Sequence, residues 1–404
     1  MDPLDVLTNL EQVVPYYQAI FSADAHQIIG YEVLARFQTD DEVESLGPFF
    51  HDDAIPDEYR IEVDRVVLRK ALEYVIYEND PASLIFINQN ANLLMKDHGE
   101  SLLALLHSFE ERGLSLTRIV LEITEHDFNG DIDQLHHLLM YYRTYGIKVA
   151  VDNIGKESSN LDRIGLLSPD ILKIDLRILR QTAMTQSYQD VLYSLALLAR
   201  KIGATLLYED IEASFQLQYA WSHGGRYFQG FYLQKPAPAF APSDLLKDKL
   251  KERFQSFIAH EKRKLLALYN LAQSFQVQLQ QLIPKCKKLN SYDEMIKLIA
   301  EELSNVCFRI YICDENGFQQ SANIIQKDHR WTFEPQYLSK NWSWRPYFLE
   351  NILRMSHEQK GLLSDLYIDI ETGESIRTFS YPLDSQHYVF IDLSYNFLYE
   401  RDVL

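Results

Sequence analysis

Short apolar runs alternate with longer amphipathic segments through the first 236 residues, and the alternation stops there. The runs at 16–21, 28–35, 84–87, 118–121, 148–151, 171–174, 205–208 and 226–228 are bounded by polar or turn-forming residues, as strands are. Segment 58–77 instead carries Ile61, Val66, Leu68, Leu72 and Val75 in a helical period, and Asn79-Asp80-Pro81 ends it. Further helices are predicted over 99–112, 131–145, 188–201 and 212–222, each between two strands. Only Ser22-Ala23-Asp24-Ala25-His26 separates the first two strands, which therefore form a hairpin where a regular barrel has a helix. Eight strands with intervening helices predict an α/β fold, a closed TIM-like (β/α)8 barrel opened by a hairpin, rather than an open sheet.

From 242 to 282 the pattern becomes one long helix without interior Pro or Gly. Leu265, Leu268, Ala272, Phe275, Leu279 and Leu282 recur at spacings of three and four. Such a heptad stripe serves equally for packing on the chain's own barrel or for pairing with the same helix of a second subunit. Pro284-Lys285-Cys286-Lys287-Lys288 marks a boundary, and its basic run reads as a solvated linker rather than a nucleic-acid site. Beyond it lie an amphipathic helix at 291–303, strands at 308–313 and 318–325 joined by Asp314-Glu315-Asn316-Gly317, and strands at 366–370, 376–383 and 388–393. The organisation expected is a barrel at 1–241, a connecting helix at 242–284, and a C-terminal α+β domain at 285–404 for sensing or dimerisation.

The chemistry lies at the ends of the barrel strands. Glu32, Asn88, Glu122, Asp152 and Glu209 each follow an apolar run, Lys173 lies within one, and Gln229 follows the last. In a (β/α)8 barrel the carboxyl ends of the strands converge on one face. Oxygen donors gathered there with a lysine describe a site for a hard dication, Mg2+ or Mn2+, and an anionic ligand. Glu32, Asn88, Glu122 and Asp152 make one good cation site. Asp152 can bridge to a second ion, but its neighbour Asn153 brings an oxygen without charge, so the second ion is expected to bind weakly. Lys173 would orient or activate an attacking water, and Glu209 would ligate or pair with that lysine. Taken singly, each carboxylate fits a helix N-cap or a surface position, Lys173 a snorkelling side chain, and Arg36 an exposed ion pair. Their recurrence at strand after strand favours the functional reading.

Composition narrows the partners. At 404 residues, with 47% apolar and 24% charged residues, the chain has the make-up of a soluble globular protein and room for a barrel plus a second domain. Its apolar runs fall far short of the ~20 residues of a membrane helix. Met1-Asp2-Pro3-Leu4-Asp5 lacks a basic segment followed by an apolar one, so a cytoplasmic protein is expected. With 39 basic and 58 acidic residues, a net charge of −19 repels nucleic acid, and any anionic ligand must be held by local groups. Cys286, Cys307 and Cys313 have no metal-type spacing and read as buried thiols.

Several motifs match a known family in order and spacing over about residues 15–240. Glu32-Val33-Leu34-Ala35-Arg36 resembles the E-A-L-x-R signature of EAL domains, barrels that hydrolyse or bind the bacterial second messenger cyclic di-GMP. Tyr17-Gln18-Ala19-Ile20 is similar to the family's opening strand, Ile87-Asn88 to V-N, and Glu122-Ile123-Thr124-Glu125 to E-L-T-E. Leu172-Lys173-Ile174-Asp175 is L-K-I-D, Glu209-Asp210-Ile211-Glu212 resembles E-G-V-E, and the stretch from Gln229 to Pro236 resembles Q-G-Y-Y-F-S-K-P. The resemblance implies metal ligation by Glu32, Asn88, Glu122 and Asp152, a water-positioning Lys173, and a metal or lysine contact for Glu209. It also implies a phosphate grip by Arg36, ligand contacts by Gln18, Gln229 and Pro236, with Gln229 reaching the catalytic water, and a bracing role for Glu125.

The departures fall in one loop. Where the family has D-D-F-G-T-G, this chain has Asp152-Asn153-Ile154-Gly155-Lys156-Glu157, so an acidic ligand and a flexible glycine are both replaced. Binding groups survive while groups used in turnover do not. The expected protein is a metal-dependent cyclic di-GMP binder with low or conditional phosphodiesterase turnover; the alternative is a fully active phosphodiesterase yielding linear pGpG. A metal-dependent lyase or aldolase, readable from the barrel alone, leaves Arg36 and Gln229 unexplained. The chain has no G-G-D-E-F sequence, and its C-terminal part, around Trp344-Arg345-Pro346-Tyr347-Phe348, faintly resembles PAS- or Cache-type domains. A small-molecule signal at that domain and a homodimer through the long helix are expected.

Overall fold

The computed structural model describes residues 2–40, 42–124, 128–154, 161–177, 186–328, 330–345 and 348–401. Packing divides the chain into two units, Met1–Phe257 and Ile258–Leu404.

In the first unit the strands are β1 (Val13–Ser22), β2 (Ile28–Gln38), β3 (Val43–Ser45), β4 (Leu84–Asn88), β5 (Ile119–Ile123), β6 (Lys148–Ile154), β7 (Ile171–Asp175), β8 (Thr205–Glu209) and β9 (Tyr227–Phe228). Their order, β1-β9-β8-β7-β6-β5-β4-β2, closes on itself because β1 also pairs with β2. The result is an eight-stranded barrel in which β1 runs antiparallel to both neighbours and all other barrel pairs are parallel. The opening hairpin expected from the sequence is therefore part of the wall. The short strand β3, not anticipated, extends β2 beyond the rim.

Side-chain alternation sorts each strand into an outer and an inner set. Ile85, Ile87, Leu121, Val149, Val151, Leu172, Ile174 and Tyr208 face outward into a core shared with the helices. Ile20, Phe86, Val120, Ala150, Ile171 and Leu207 fill the barrel interior as a separate apolar plug. Two residues further along each parallel strand, the next inward positions are Asn88, Glu122, Asp152, Lys173 and Glu209. On the reversed strand β1 the matching position, Gln18, precedes Ile20 by two and sits opposite Glu32 of β2. A strand pattern of period two thus puts a dry layer under a polar one.

Helices pack outside, at Asp57–Glu78, Glu100–Glu110, Ile132–Arg143, Gln186–Ile202 and Ser214–Ser222, near the predicted bounds, and a helix at Leu161–Leu167 adds to them. The helix Lys247–Cys286 runs through Pro284, so the boundary expected there falls inside its last turn. A proline so close to the end removes only the bond to the carbonyl of Gln280, an exposed residue. Leu250, Phe254 and Phe257 of this helix belong to the barrel core, and Leu271, Phe275, Leu279, Leu282 and Cys286 to the C-terminal core. Five of the six stripe residues pack within the second unit, Phe275, Leu279 and Leu282 in its core and Leu268 and Ala272 against it, while Leu265 stays exposed. No helix among the described residues is long and apolar enough to cross a membrane.

The second unit holds β10 (Cys307–Asp314), β11 (Asn323–Lys327), β12 (Arg330–Glu334), β13 (Leu362–Leu363), β14 (Tyr367–Ile368), β15 (Ser375–Pro382) and β16 (His387–Leu393). They form an antiparallel sheet ordered β12-β11-β10-β16-β15-β13, with β14 also on β15. The strand expected at 318–325 starts only at Asn323, because Phe318 and Gln319 make single bridges instead. The three cysteines are buried and free.

Close approach of backbones fixes the relative height of β2 and β4. Gly30 pairs with Leu84, and a Cβ on Gly30 would stand 2.5 Å from the Leu84 carbonyl oxygen. Gly30→Ala is expected to lower the unfolding free energy by about 1–3 kcal/mol, read from urea denaturation. A loss under ~0.5 kcal/mol, the size of an ordinary surface change, would show that the strands separate without strain.

Candidate metal and phosphodiester site

Lys173, fully buried on β7, stands at the centre of the polar layer. Its Nζ lies 2.9 Å from Glu122 Oε1, 3.3 Å from Glu32 Oε2, 3.3 Å from Glu209 Oε2 and 3.5 Å from Asp152 Oδ1. Burial opposes the ammonium charge, but Asp152, Glu122, Glu32 and Glu209 together raise its pKa well above the usual lysine value. The four carboxylates favour the charged, hydrogen-donating form of Lys173.

One cation among four carboxylates leaves the cluster short of positive charge. Burial works against the Glu32 charge, yet Lys173 and the amides of Gln229 and Asn88 hold its carboxyl below its ordinary value. Those amides donate to Glu32 at 2.6 and 2.7 Å. Glu122 lacks that help: burial and the neighbouring Glu32 and Asp152 push it well above the carboxylate range despite Lys173. Burial and Asp152 raise Glu209 in the same way.

The donor set fits a small dication. Oε2 of Glu122 is buried without a hydrogen-bond partner, Oε1 of Glu122 and Oδ1 of Asp152 face only the Lys173 ammonium, and the nitrogen of Asn88 is committed to Glu32 while its oxygen makes no hydrogen bond among the described residues. Three carboxylates and an amide oxygen, offered without hydrogen atoms, are what magnesium or manganese binds. Asp175, Glu209 and Asp210 form a second acidic group beside it, with candidate ligand atoms within 4.8 Å of one another. Arg177 pairs with two of these three, its Nε 2.7 Å from Asp175 and 2.9 Å from Asp210.

Asp152 and Asn153 occupy a β-bulge. Val151 pairs with Leu172 and Ile154 with Ile174, so β6 carries one residue more than β7 between them. Asn153 takes φ 60°, a left-handed conformation that asparagine tolerates better than most residues. Its Nδ2 donates to Asp152 Oδ2 at 2.9 Å.

The remaining sequence-predicted residues divide. Gln18 accepts from Gln229 at 3.2 Å and joins the ring through it. Arg36 lines the adjoining cleft, anchored to the Ala35 carbonyl at 2.9 Å. Pro236 does not line that cleft; the neighbouring Ala237 bridges to Tyr17 of β1. Glu125 and the Lys156-Glu157 replacement lie outside the described residues. The cleft measures about 980 Å³ and runs from the carboxylates between Asp57–Glu78 and the following helices. Its walls include Asp64, Gln89, Arg60, Arg65 and Lys96, which the strand-end pattern missed because most lie on helices. Asp64 was detectable as an acidic residue at helical spacing between the apolar Ile61 and Leu68. Burial pushes its carboxyl up to about 6, while Gln89 donates to it at 2.8 Å.

The charge shortfall has a measurable sign. The pKa of Glu122 is higher in the fold than in the unfolded chain, so its contribution to stability is full below the ordinary carboxylate range and is lost as pH rises through the raised value. Glu122→Gln, which keeps the shape without the charge, is expected to raise the unfolding midpoint of chelator-treated protein at pH 8 by about 2–4 °C per kcal/mol of relieved repulsion. Near pH 4 it should change little, and manganese at pH 8 should stabilise the wild type more than the variant. An equal effect of the substitution at both pH values would refute an ionised, uncompensated Glu122.

Comparison with known proteins agrees with this geometry. Residues 4–236 match the EAL domain, and residues 240–404 match an EAL-domain associated signalling protein domain. The EAL-domain containing protein YkuI of Bacillus subtilis (strain 168), itself uncharacterized, is 59% identical over 406 residues, covering all of both chains. The crystal structure of that YkuI protein, in complex with substrate c-di-GMP and calcium, superposes with a TM-score of 0.95 over all of both chains. A probable cyclic di-GMP phosphodiesterase, PdeB of Escherichia coli (strain K12), is 26% identical over 58% of this chain and 44% of its own length. Matched by the EAL domain over more than half its length and by a full-length relative, the chain belongs to the EAL-domain family.

Proposed function

We propose that this protein is a cytoplasmic receptor for cyclic di-GMP that binds its ligand with a divalent cation, Mg2+ or Mn2+, and hydrolyses it slowly or conditionally. The observation that carries the reading is the buried ring around Lys173, in which four carboxylates share one ammonium and Oε2 of Glu122 has no hydrogen-bond partner. Glu32, Asn88, Glu122 and Asp152 would hold the ion, which supplies charge to a phosphate oxygen and acidifies a bound water. The relative at 59% identity was crystallised with c-di-GMP and calcium, which supports the same ligand here.

The cleft suits a dianionic dinucleotide. Arg36, Arg60, Arg65 and Lys96 line it, although Arg60 and Lys96 also pair with Asp57. Asp64, on the same helix as Arg60 and Arg65, would offer a carboxylate to the N–H groups on the Watson–Crick edge of guanine. Hydrolysis adds water across one phosphodiester, breaking a P–O3′ bond to give linear pGpG. Lys173 would orient that water and donate to the developing charge on phosphorus, while Gln229, 2.6 Å from Glu32, keeps the carboxylate in place.

Slow turnover follows from Asn153. Its amide brings no charge to a second ion and ties up one oxygen of Asp152. The competing reading, a fully active phosphodiesterase, is favoured by the completeness of the inner ring from Glu32 to Gln229. The C-terminal unit would sense a small-molecule signal, and exposed Leu265, Leu266 and Tyr269 on the long helix would contribute to a homodimer.

Two substitutions separate binding from turnover. Arg36→Ala should weaken cyclic di-GMP binding by about 1.5–3 kcal/mol, the worth of a charge-assisted hydrogen bond, in a calorimetric titration; unchanged affinity in a folded variant would remove Arg36 from the pose. Asn153→Asp frees Asp152 and adds a charge, so it should raise manganese-dependent pGpG formation while leaving affinity within a few-fold. Wild-type turnover already at ~1 s⁻¹ or above, inside the common enzyme range, would replace the slow reading with the fully active one.

A further inference from the structure

The inward set of β7 runs one position past the lysine. Ile171, Lys173 and Asp175 alternate on that face, so buried Asp175 stands above the polar layer, in register with Glu209 of β8. Hydrogen bonds tie the two strand ends together there. The Leu176 N–H donates to the Glu209 carbonyl at 3.2 Å, and buried Gln216 donates to the Leu176 carbonyl at 3.1 Å while accepting from the Glu212 and Ala213 N–H groups. Asp210 follows Glu209 with φ 55°. The motif E-G-V-E has glycine at this place, and glycine takes a left-handed conformation without the cost that a side chain adds. An aspartate here is a departure that the backbone does not favour, and what it gains is an ion pair.

Arg177 supplies the other half of that pair. Its Nε lies 2.7 Å from Oδ2 of Asp175 and 2.9 Å from Oδ2 of Asp210, its Nη2 lies 2.5 Å from the same Asp175 oxygen, and its backbone N–H donates to the other Asp175 oxygen at 2.7 Å. The charge of Glu209 acts on the same guanidinium. Lys173 meets Glu209 at 3.3 Å and Arg177 meets the two aspartates, so three carboxylates with candidate ligand atoms within 4.8 Å of one another already face cations of the protein. Oxygen donors grouped in this way are what a hard dication binds. With 45% of its side chain exposed, Arg177 adds little to stability through these pairs. What the site receives from it is the charge.

We propose that the Arg177 guanidinium stands in for a second divalent cation beside Asp175, Glu209 and Asp210, so that the chain holds one ion, at Glu32, Asn88, Glu122 and Asp152, and excludes another. Asn153 and the Arg177–Asp210 pair act in the same direction. One withholds a charge that a second ion would need, and the other fills its place with a cation built into the chain. A guanidinium keeps its protons and carries a fixed positive charge, but it does not acidify a bound water as a dication does. The inference deepens the slow-turnover reading and rests on the first ion site proposed above.

Manganese titrated into the full chain without cyclic di-GMP tests it, bound ions being counted from the loss of the free-ion electron paramagnetic resonance signal. Arg177→Ala, at a partly exposed side chain, uncovers the three carboxylates and should bind one ion more per chain than the wild type. Arg177→Ala combined with Asp210→Gly, which restores the motif's glycine, should fall back to the wild-type count. An unchanged count in Arg177→Ala, even with a lowered unfolding midpoint, would make the pair a structural strut and overturn the inference. A gain that survives Asp210→Gly would do the same, since the extra ion would then lie elsewhere. The two readings fail differently: no ion on the wild type defeats the first site and this inference with it, whereas an ion on the wild type and none gained by Arg177→Ala defeats this inference alone.

Discussion

A buried ammonium among four carboxylates is the constraint on which the barrel's upper layer depends. Lys173 is stable there only because Glu32, Glu122, Asp152 and Glu209 arrive within 3.5 Å of it from four different strands. Their arrival at one height requires the strand register to be right at every neighbour, since a slip of one residue would turn each carboxylate toward the helices. Gly30 against Leu84 and the bulge at Asp152-Asn153 are local means of setting that register. The apolar plug beneath, from Ile20 to Leu207, keeps water from the lower side of the charges, which strengthens every interaction in the layer and raises the penalty for imbalance. Excess negative charge is thus built into the fold, and the raised pKa values of Glu122 and Glu209 are its local expression.

This layering explains why so much was legible in the chain. A polar residue two positions past an apolar inward residue is visible in sequence whenever the strand is visible, so Glu32, Asn88, Glu122, Asp152, Glu209 and Gln229 announce themselves by periodicity. Lys173 is legible only as an anomaly inside an apolar run. What periodicity does not carry is anything set by packing across the chain. Asp64 and Arg65 reach the cleft from a helix, β3 depends on an edge offered by β2, and the extra residue in β6 exists only relative to β7. Pro236, a position picked out by the motif, lies outside the lining of the cleft, which strand periodicity does not report either.

Asn153 joins the sequence and structural arguments. From sequence it is an acidic ligand replaced by an amide. In the structure it is also a donor, in a left-handed conformation, to the residue that a second ion would have to share. An amide-to-carboxylate hydrogen bond of this kind is worth about 1.5–3 kcal/mol, below the attraction of a dication for a carboxylate in a dry site. At this position the amide brings no charge, and it places a donor on an oxygen that a second carboxylate would leave open.

The long helix is where the sequence reading was most open, because a heptad stripe has two uses and the spacing is the same for both. Burial distinguishes them along its length. Leu250, Phe254 and Phe257 complete the barrel core, and Leu271, Phe275, Leu279 and Leu282 complete the C-terminal one. The helix is therefore core to both units, and a barrel ending at 242 would expose the apolar surface those first three side chains cover. Between them, Ile258, Leu265, Leu266 and Tyr269 are exposed. Of the stripe itself Leu265 alone is left exposed, so the heptad spacing is accounted for by packing within the chain.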